Sequence, residues 1–261
     1  MAICEFHTNQ NNVLQKMTSF VAITPDDGDG PFPVFYLLHG LSDDHTAWTR
    51  RSGIENHVAG LPLIVVMPNG ERGFYTDSTE NPRAAYETNI VRDLIPFVDR
   101  TFRTIPARAG RVIAGLSMGG YGAFKLALKH PDLFCAAVSH SGAVGFGGRT
   151  FAADDDWGRE WRAVLGPAPK GGPDDVFALA ERGDAATRPA LRLDCGVDDF
   201  LIEENRALHT HLDRLGIPHE YQEHPGEHNW AYWDKHVQDT LAFFKRVLKM
   251  GPKDPVAGER E

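Results

Sequence analysis

The chain has 261 residues with 27 basic and 36 acidic side chains, a formal net charge of −9. That field repels polyanions and leaves no basic footprint, so nucleic acid is excluded as an expected partner. Hydrophobic residues at 42% and charged residues at 24% exclude a mostly disordered chain.

Two alternating runs, "ICEFHT" and "KMTSFVAITP", open the sequence as antiparallel strands leading into a sheet. Short apolar runs then alternate with longer amphipathic ones, the pattern of parallel strands crossed by helices. In chain order the expected strands are "VFYLLHG" from Val34, "LIVVMPNG" from Leu63, "RVIAGLS" from Arg111, "CAAVSHSG" from Cys135, "ALRLDCG" from Ala190 and "HEYQEH" from His219. Helices are expected over Asn89 to Phe102, Tyr121 to Lys129, Glu203 to Leu215 and Trp230 to Lys249. The fold class is therefore α/β, with a mostly parallel central sheet flanked by helices in one domain over residues 1–250. Residues 143–189, rich in Gly, Pro and Asp, are expected to form a small cap insertion over the site. The polar tail "GPKDPVAGERE", residues 251–261, is expected to fray.

Cys4, Cys135 and Cys195 are scattered and odd in number, which suits reduced thiols better than a disulfide framework. None shows metal-ligand spacing. No apolar run reaches about 18 residues, and the start lacks a basic leader, so a cytoplasmic protein without membrane association is expected. Self-association into a homo-oligomer stays open.

Chemistry concentrates in "GLSMGGYGAFKLAL", residues 115–128. A strand, a tight turn with Ser117 between glycines, and a helix form the context in which a GxSxG serine is lifted out of the sheet as a nucleophile. The bland alternative is a glycine-rich turn with Ser117 as a helix N-cap. A second loop, "HGLSDDHTAW" after the strand at Val34, is placed to supply one oxyanion N–H from Leu41, with Met118 supplying the other.

A serine hydroxyl needs a base and a carboxylate behind it, in the chain order serine, acid, histidine on this fold. "ALRLDCGVDDFL" offers Asp194, Asp198 and Asp199. Asp194 lies inside a strand and Asp198 suits a helix cap; Asp199, at the strand end where Phe200 and Leu201 begin a packed return, is preferred. Among twelve histidines, His228 sits in the loop between the last strand and the last helix and is the preferred base, with His224 in reserve. His209 and His211 are expected to face solvent. Trp48, Tyr75, Asp77 and Trp230 are the candidate substrate-binding residues, joined by Trp157 and Trp161 of the insertion; all are compatible with plain core or turn roles.

Together with "VVMPNGERGFYTD", "YETNIVRDLIPFVDRTF", "KHPDLFCAAVSHSG", "CGVDDFLIEENRALHTHL" and "HPGEHNWAYW", these motifs resemble the esterase D type of α/β-hydrolase. That group contains S-formylglutathione hydrolases, tributyrin esterases, feruloyl and acetylxylan esterases and mycolyltransferases. The resemblance covers about residues 10 to 248. It implies a nucleophile at Ser117, an acid at Asp199, a base at His228 and oxyanion donors at Leu41 and Met118. It also implies a serine carboxylesterase acting on a small-molecule ester, short-chain acyl or aryl, with no metal or cofactor. The approach "RVIAGLSMGGYGA" is nearer the smaller bacterial esterases than the glutathione-specific branch. An S-formylglutathione-type thioesterase is the first alternative; an acyltransferase and a catalytically silent fold follow.

Overall fold

Alternating and wholly apolar runs assemble one mixed sheet of eight strands in the computed structural model, which describes residues 1–26 and 28–250. The antiparallel pair β1 (Ala2–Thr8) and β2 (Thr18–Thr24) leads into β3 (Val34–Leu38), followed by two short helices, α1 (Ala47–Arg51) and α2 (Ile54–Val58), and then β4 (Ile64–Pro68). Next comes a composite helical run of α3 (Tyr86–Thr88), a π-helical turn (Asn89–Leu94) and α4 (Ile95–Thr101). After it come β5 (Arg111–Leu116), α5 (Met118–Lys129) and β6 (Ala136–His140). Helices α6 (Asp156–Leu165) and α7 (Val176–Arg182) precede β7 (Ala190–Gly196), α8 (Ile202–Arg214), β8 (His219–His224) and α9 (Trp230–Val247).

Strand order is β1-β2-β4-β3-β5-β6-β7-β8. β2 pairs antiparallel with β1 and β4, while β4 through β8 run parallel. Parallel strands need both faces covered, and the period-two pleat divides their side chains accordingly. Val34, Tyr36 and Leu38 join Ile113 and the buried residues of α5 on one face; Phe35 and Leu37 join Val112, Ala114 and the apolar stripe of α9 on the other.

All eight expected strands form, with ends moved by a residue or two. The helix expected over Asn89 to Phe102 instead begins at Tyr86 and passes through a π turn before α4. Pro96 sits in the first turn of α4 and has no N–H for the helical ladder, so the ladder is interrupted just ahead of it. Helices α1, α2 and α7 are too short to announce themselves by periodicity, whereas α6 carries Trp157, Trp161 and Leu165 at helical spacing, a signal the expected elements left out.

Residues 143–189 fold into a 3-10 turn (Phe146–Gly148), α6 and α7. Asp155 caps α6 by accepting from Gly158 N at 2.7 Å, and Asp175 caps α7 by accepting from Phe177 N at 3.0 Å. Phe146, Phe151, Trp161, Leu165, Val176 and Leu179 pack into the same cluster as the sheet face and α5. The three cysteines are free, and among the described residues no helix is long and apolar enough to cross a membrane. The fraying expected of residues 251–261 lies outside the described residues.

Lys125 of α5 is fully buried. Its ammonium donates to Glu87 at 2.6 Å, to the Tyr75 carbonyl at 2.6 Å and to Thr76 Oγ1 at 3.0 Å; Lys129 and His130 also reach Glu87. Burial works to raise the Glu87 carboxyl, but the Lys125 charge and the His130 and Lys125 hydrogen bonds outweigh it and hold it well below its ordinary 4.5. A depressed folded-state value means this stabilisation is complete above about pH 4.5 and drains away as pH falls below it. Thermal melts at descending pH should show that loss. Glu87→Gln, which strands a buried cation, should lower the neutral-pH melting temperature and flatten the acid slope.

Candidate active site

The carboxyl ends of β3, β5, β7 and β8 all open at one edge of the sheet, where ligands meet open α/β sheets. Each end contributes one part of a connected constellation.

After β5 the chain turns sharply at Ser117, whose φ of 54° and ψ of −115° lie in a region non-glycine residues avoid. The turn is clamped on both sides: Ser117 N–H donates to His140 O at 2.9 Å, and Ser117 O accepts from Tyr121 N and Ala143 N. It also demands missing side chains. A Cβ on Gly115 would lie 2.5 Å from the Gly119 backbone, and one on Gly119 would lie 2.6 Å from Leu38 O. α5 can therefore rest on the end of β3 only because both positions are bare. The serine does not serve as a side-chain N-cap; its hydroxyl points elsewhere.

That hydroxyl donates to His228 Nε2 at 2.9 Å, and His228 Nδ1–H donates to Asp199 Oδ2 at 2.8 Å and Oδ1 at 3.0 Å. The three residues come from the ends of β5, β7 and β8, up to 111 positions apart. The Asp199 carboxylate is fully buried while the His228 side chain stays 16% exposed. Burial pushes the Asp199 carboxyl up, but the hydrogen bonds from His228 and from Leu201 N–H at 2.8 Å prevail and hold it below its ordinary value. The carboxylate is thus ionised at neutral pH and accepts, which keeps the proton on Nδ1 and leaves a lone pair on Nε2 facing the serine.

The loop after β3 meets this elbow closely. A Cβ on Gly40 would stand 3.7 Å from Ser117 Cβ, so Leu41 follows directly beside the Ser117 turn. Met118 is the first residue of α5, and a first-turn N–H has no acceptor within its own helix. His39 braces the loop: it is 1% exposed, its Nδ1–H donates to Gly40 O at 2.7 Å, and its Nε2 accepts from Gly70 N–H at 2.9 Å. Desolvation lowers the His39 pKa, so the ring is neutral and can both donate and accept.

Of the expected substrate contacts, Trp48 and Tyr75 are core residues and Asp77 lies at the surface. Trp48 is 1% exposed in the core, its indole N–H donating to Leu38 O at 3.1 Å. Tyr75 is fully buried and its hydroxyl donates to His39 O at 3.0 Å, so it shapes the loop from beneath. Asp77 is exposed, but its carboxylate accepts from both N–H and hydroxyl of Thr88. Trp230 is half-buried between Trp48, Trp233 and the Arg51 guanidinium. Trp161 packs on Phe74 and Phe146 with 6% exposure, whereas Trp157 is 59% exposed over the Arg72 guanidinium. Bulk and aromaticity favour a core as much as a rim, which is why the sequence pattern did not separate them.

The groups that do touch the imidazole were not anticipated. Trp233 presents its indole edge-on to His228 with centroids 4.9 Å apart, and Phe200, expected to be packed, is 76% exposed with its ring 4.4 Å from His228. Arg72 also escaped notice: it donates to Ser42 in the loop after β3 and holds Glu160 of α6 through two hydrogen bonds, tying the insertion to that loop.

A family model described as "Putative esterase" matches residues 11–244. The chain belongs to this esterase family. It is 29% identical to an acetyl esterase of Caldicellulosiruptor saccharolyticus, across 91% of this chain and 96% of that protein. Among solved structures it resembles a fluorophosphonate-binding serine hydrolase, FphF, of Staphylococcus aureus, substrate bound, with a TM-score of 0.82 and 27% identity over 95% of this chain and 98% of that one. A similar likeness holds for the S-formylglutathione hydrolase FrmB of Staphylococcus aureus, with a TM-score of 0.81, 27% identity and coverage of 95% and 98%. The architecture is the α/β-hydrolase fold, and the esterase is a carboxylic ester hydrolase. The resemblance read from its motifs is thereby borne out.

Proposed function

We propose that the esterase hydrolyses short-chain acyl or aryl esters through an acyl-enzyme, with Ser117 as nucleophile, His228 as base and Asp199 as its orienting acid. The observation that carries this reading is the unbroken hydrogen-bond chain from Asp199 through His228 to the strained Ser117. His228 Nε2 takes the hydroxyl proton as Oγ attacks the ester carbonyl, and the resulting imidazolium is stabilised by the buried Asp199 carboxylate. The backbone N–H groups of Leu41 and Met118 receive the negative charge that develops on the carbonyl oxygen. His228 then gives its proton to the departing alcohol, leaving the acyl group on Oγ. Water, deprotonated by the same ring, attacks the acyl-enzyme and restores Ser117.

Incubation with a fluorophosphonate, followed by peptide mass mapping, tests the assignment: one adduct is expected, on Ser117, with complete loss of p-nitrophenyl acetate turnover. An adduct elsewhere, or full turnover in adducted protein, would remove Ser117 from the mechanism. A panel of p-nitrophenyl acyl esters run beside methyl ferulate and S-formylglutathione then assigns the acyl class. Highest kcat/KM is expected on acetyl and butyryl esters, in line with the likeness to an acetyl esterase along nearly its whole length.

A further inference from the structure

We propose that His209, Asp213 and His219 form a binding site for a divalent transition-metal ion of the Zn2+ or Ni2+ class, separate from the ester-hydrolysing centre. His209 and Asp213 are one helical turn apart on α8 and so share a face; His219 opens β8 directly opposite. The site lies at the starting edge of β8, whereas Ser117 and His228 lie past the carboxyl ends of their strands.

The hydrogen bonds fix which atoms face the gap. His219 Nδ1 is 2.8 Å from Ile217 O, a group that only accepts, so Nδ1 carries the proton. His219 Nε2 then presents its lone pair to His209 Nδ1, 2.8 Å away. Asp213 lies beside both rings, its Oδ1 3.9 Å from His219 Nε2 and its Oδ2 3.5 Å from His209 Nε2, the ring nitrogen not engaged by His219. One nitrogen of each imidazole and a carboxylate oxygen therefore lie within 4.8 Å of one another, and in the free protein a proton bridges His209 Nδ1 and His219 Nε2. A metal ion would replace that proton. The backbone carbonyl behind His219 is the outer partner that metal-bound imidazoles ordinarily have, and Tyr221 stacks on His209 at 4.3 Å and holds its plane.

Geometry agrees with a shared ion. With metal–nitrogen bonds of about 2.0–2.1 Å, donors 2.8 Å apart subtend about 85°, near the right angle of six-coordinate Ni2+; widening by roughly 0.5 Å gives the tetrahedral angle of Zn2+. The two ring planes cross at 65°, so one point can lie in both. A second cluster, His224, His236 and Asp239, fails here: its imidazoles stack at 4.0 Å with planes only 14° apart, and in-plane lone pairs on nearly parallel rings do not converge. Asp213 is 62% exposed, which gives an ion entry and leaves room for coordinated water. Imidazole donors select borderline transition metals over Mg2+ and Ca2+, which want oxygen shells. A bound ion would staple the end of α8 to the start of β8 across the turn at 215–218.

The test is calorimetric titration of EDTA-treated, dialysed full-length protein with Zn2+ alone and Ni2+ alone at neutral pH. One ion per chain is expected, accompanied by a higher melting temperature. His209→Gln and Asp213→Asn should each weaken affinity, with His219→Ala weakening it by at least about tenfold, and His224→Ala should leave it unchanged. The His219 side chain is only 3% exposed, so its variant is read only if its metal-free circular dichroism matches the parent; the two more exposed variants decide the matter alone otherwise. Absence of binding at millimolar metal, equal affinity in the His209 and Asp213 variants, or loss in His224→Ala would overturn the site. Ester turnover without metal should be the same in the parent and in His209→Gln, so failure here leaves the proposed hydrolysis intact.

Discussion

On the proposed mechanism, Ser117→Ala is expected to abolish ester turnover, by roughly 10⁶-fold in kcat, the scale on which a triad serine acts. The argument is local. The hydroxyl makes one side-chain hydrogen bond, to His228 Nε2 at 2.9 Å, while the strained turn is held by backbone bonds from His140, Tyr121 and Ala143. Alanine removes the proposed nucleophile and leaves the clamps, so the melting temperature should stay close to the parent. His228→Ala should fall on the same scale, and the double variant should be no worse than either single one, because nucleophile and base act as one unit. Initial rates on p-nitrophenyl acetate, normalised to folded protein, provide the measurement. A Ser117→Ala enzyme with turnover comparable to the parent would end the proposed mechanism.

The second large effect separates two buried aspartates that the sequence presents five positions apart. Asp199→Asn should cut kcat by roughly 10⁴-fold with little change in stability. An amide NH2 facing Nδ1 forces that nitrogen to accept, and the proton moves to Nε2, where it confronts the serine hydroxyl. Asp194→Asn should do the reverse. Asp194 is fully buried beneath the site, where it accepts from His140 Nδ1 at 2.9 Å and Tyr232 OH at 3.1 Å and faces Arg192 at 3.7 Å. Breaking such a group costs about 3–5 kcal/mol, or about 10 °C in melting temperature for a chain of this size. The molecules that remain folded should keep most of their kcat. Melting curves and kcat measured on both variants decide it; catalytic loss in Asp194→Asn with a normal melting temperature would reassign the acid.

Burial of Asp194 carries a further consequence. Its carbonyl accepts from Ser141 N–H, while the His140 carbonyl accepts from Ser117 N–H. The His140 imidazole is itself held between Asp194 and Thr240 Oγ1. The hydrogen-bonded Asp194–His140 pair therefore sits directly under the Ser117 turn and fixes the spacing of β6 and β7, whose ends must agree for Asp199 to reach His228.

The serine turn was legible in the sequence because its cause is steric and local: glycines at 115 and 119 are required by backbone contacts with neighbours in the motif and on the adjacent strand. The parallel strands were legible for a similar reason, since burial on both faces leaves continuous apolar runs. The placement of His228 beside Ser117 followed from chain order and its loop position. The identity of the acid was less determined, because Asp194, Asp198 and Asp199 share one strand end and only pleat direction and the β7-to-α8 turn distinguish them. Tertiary packing alone decided that Trp48 and Tyr75 are buried, that Phe200 stands exposed against the imidazole, and that Lys125 lies fully buried beside Glu87. Composition and periodicity record which residues prefer to leave water; which of them touch one another depends on how distant elements pack, and that information is carried by the assembled fold.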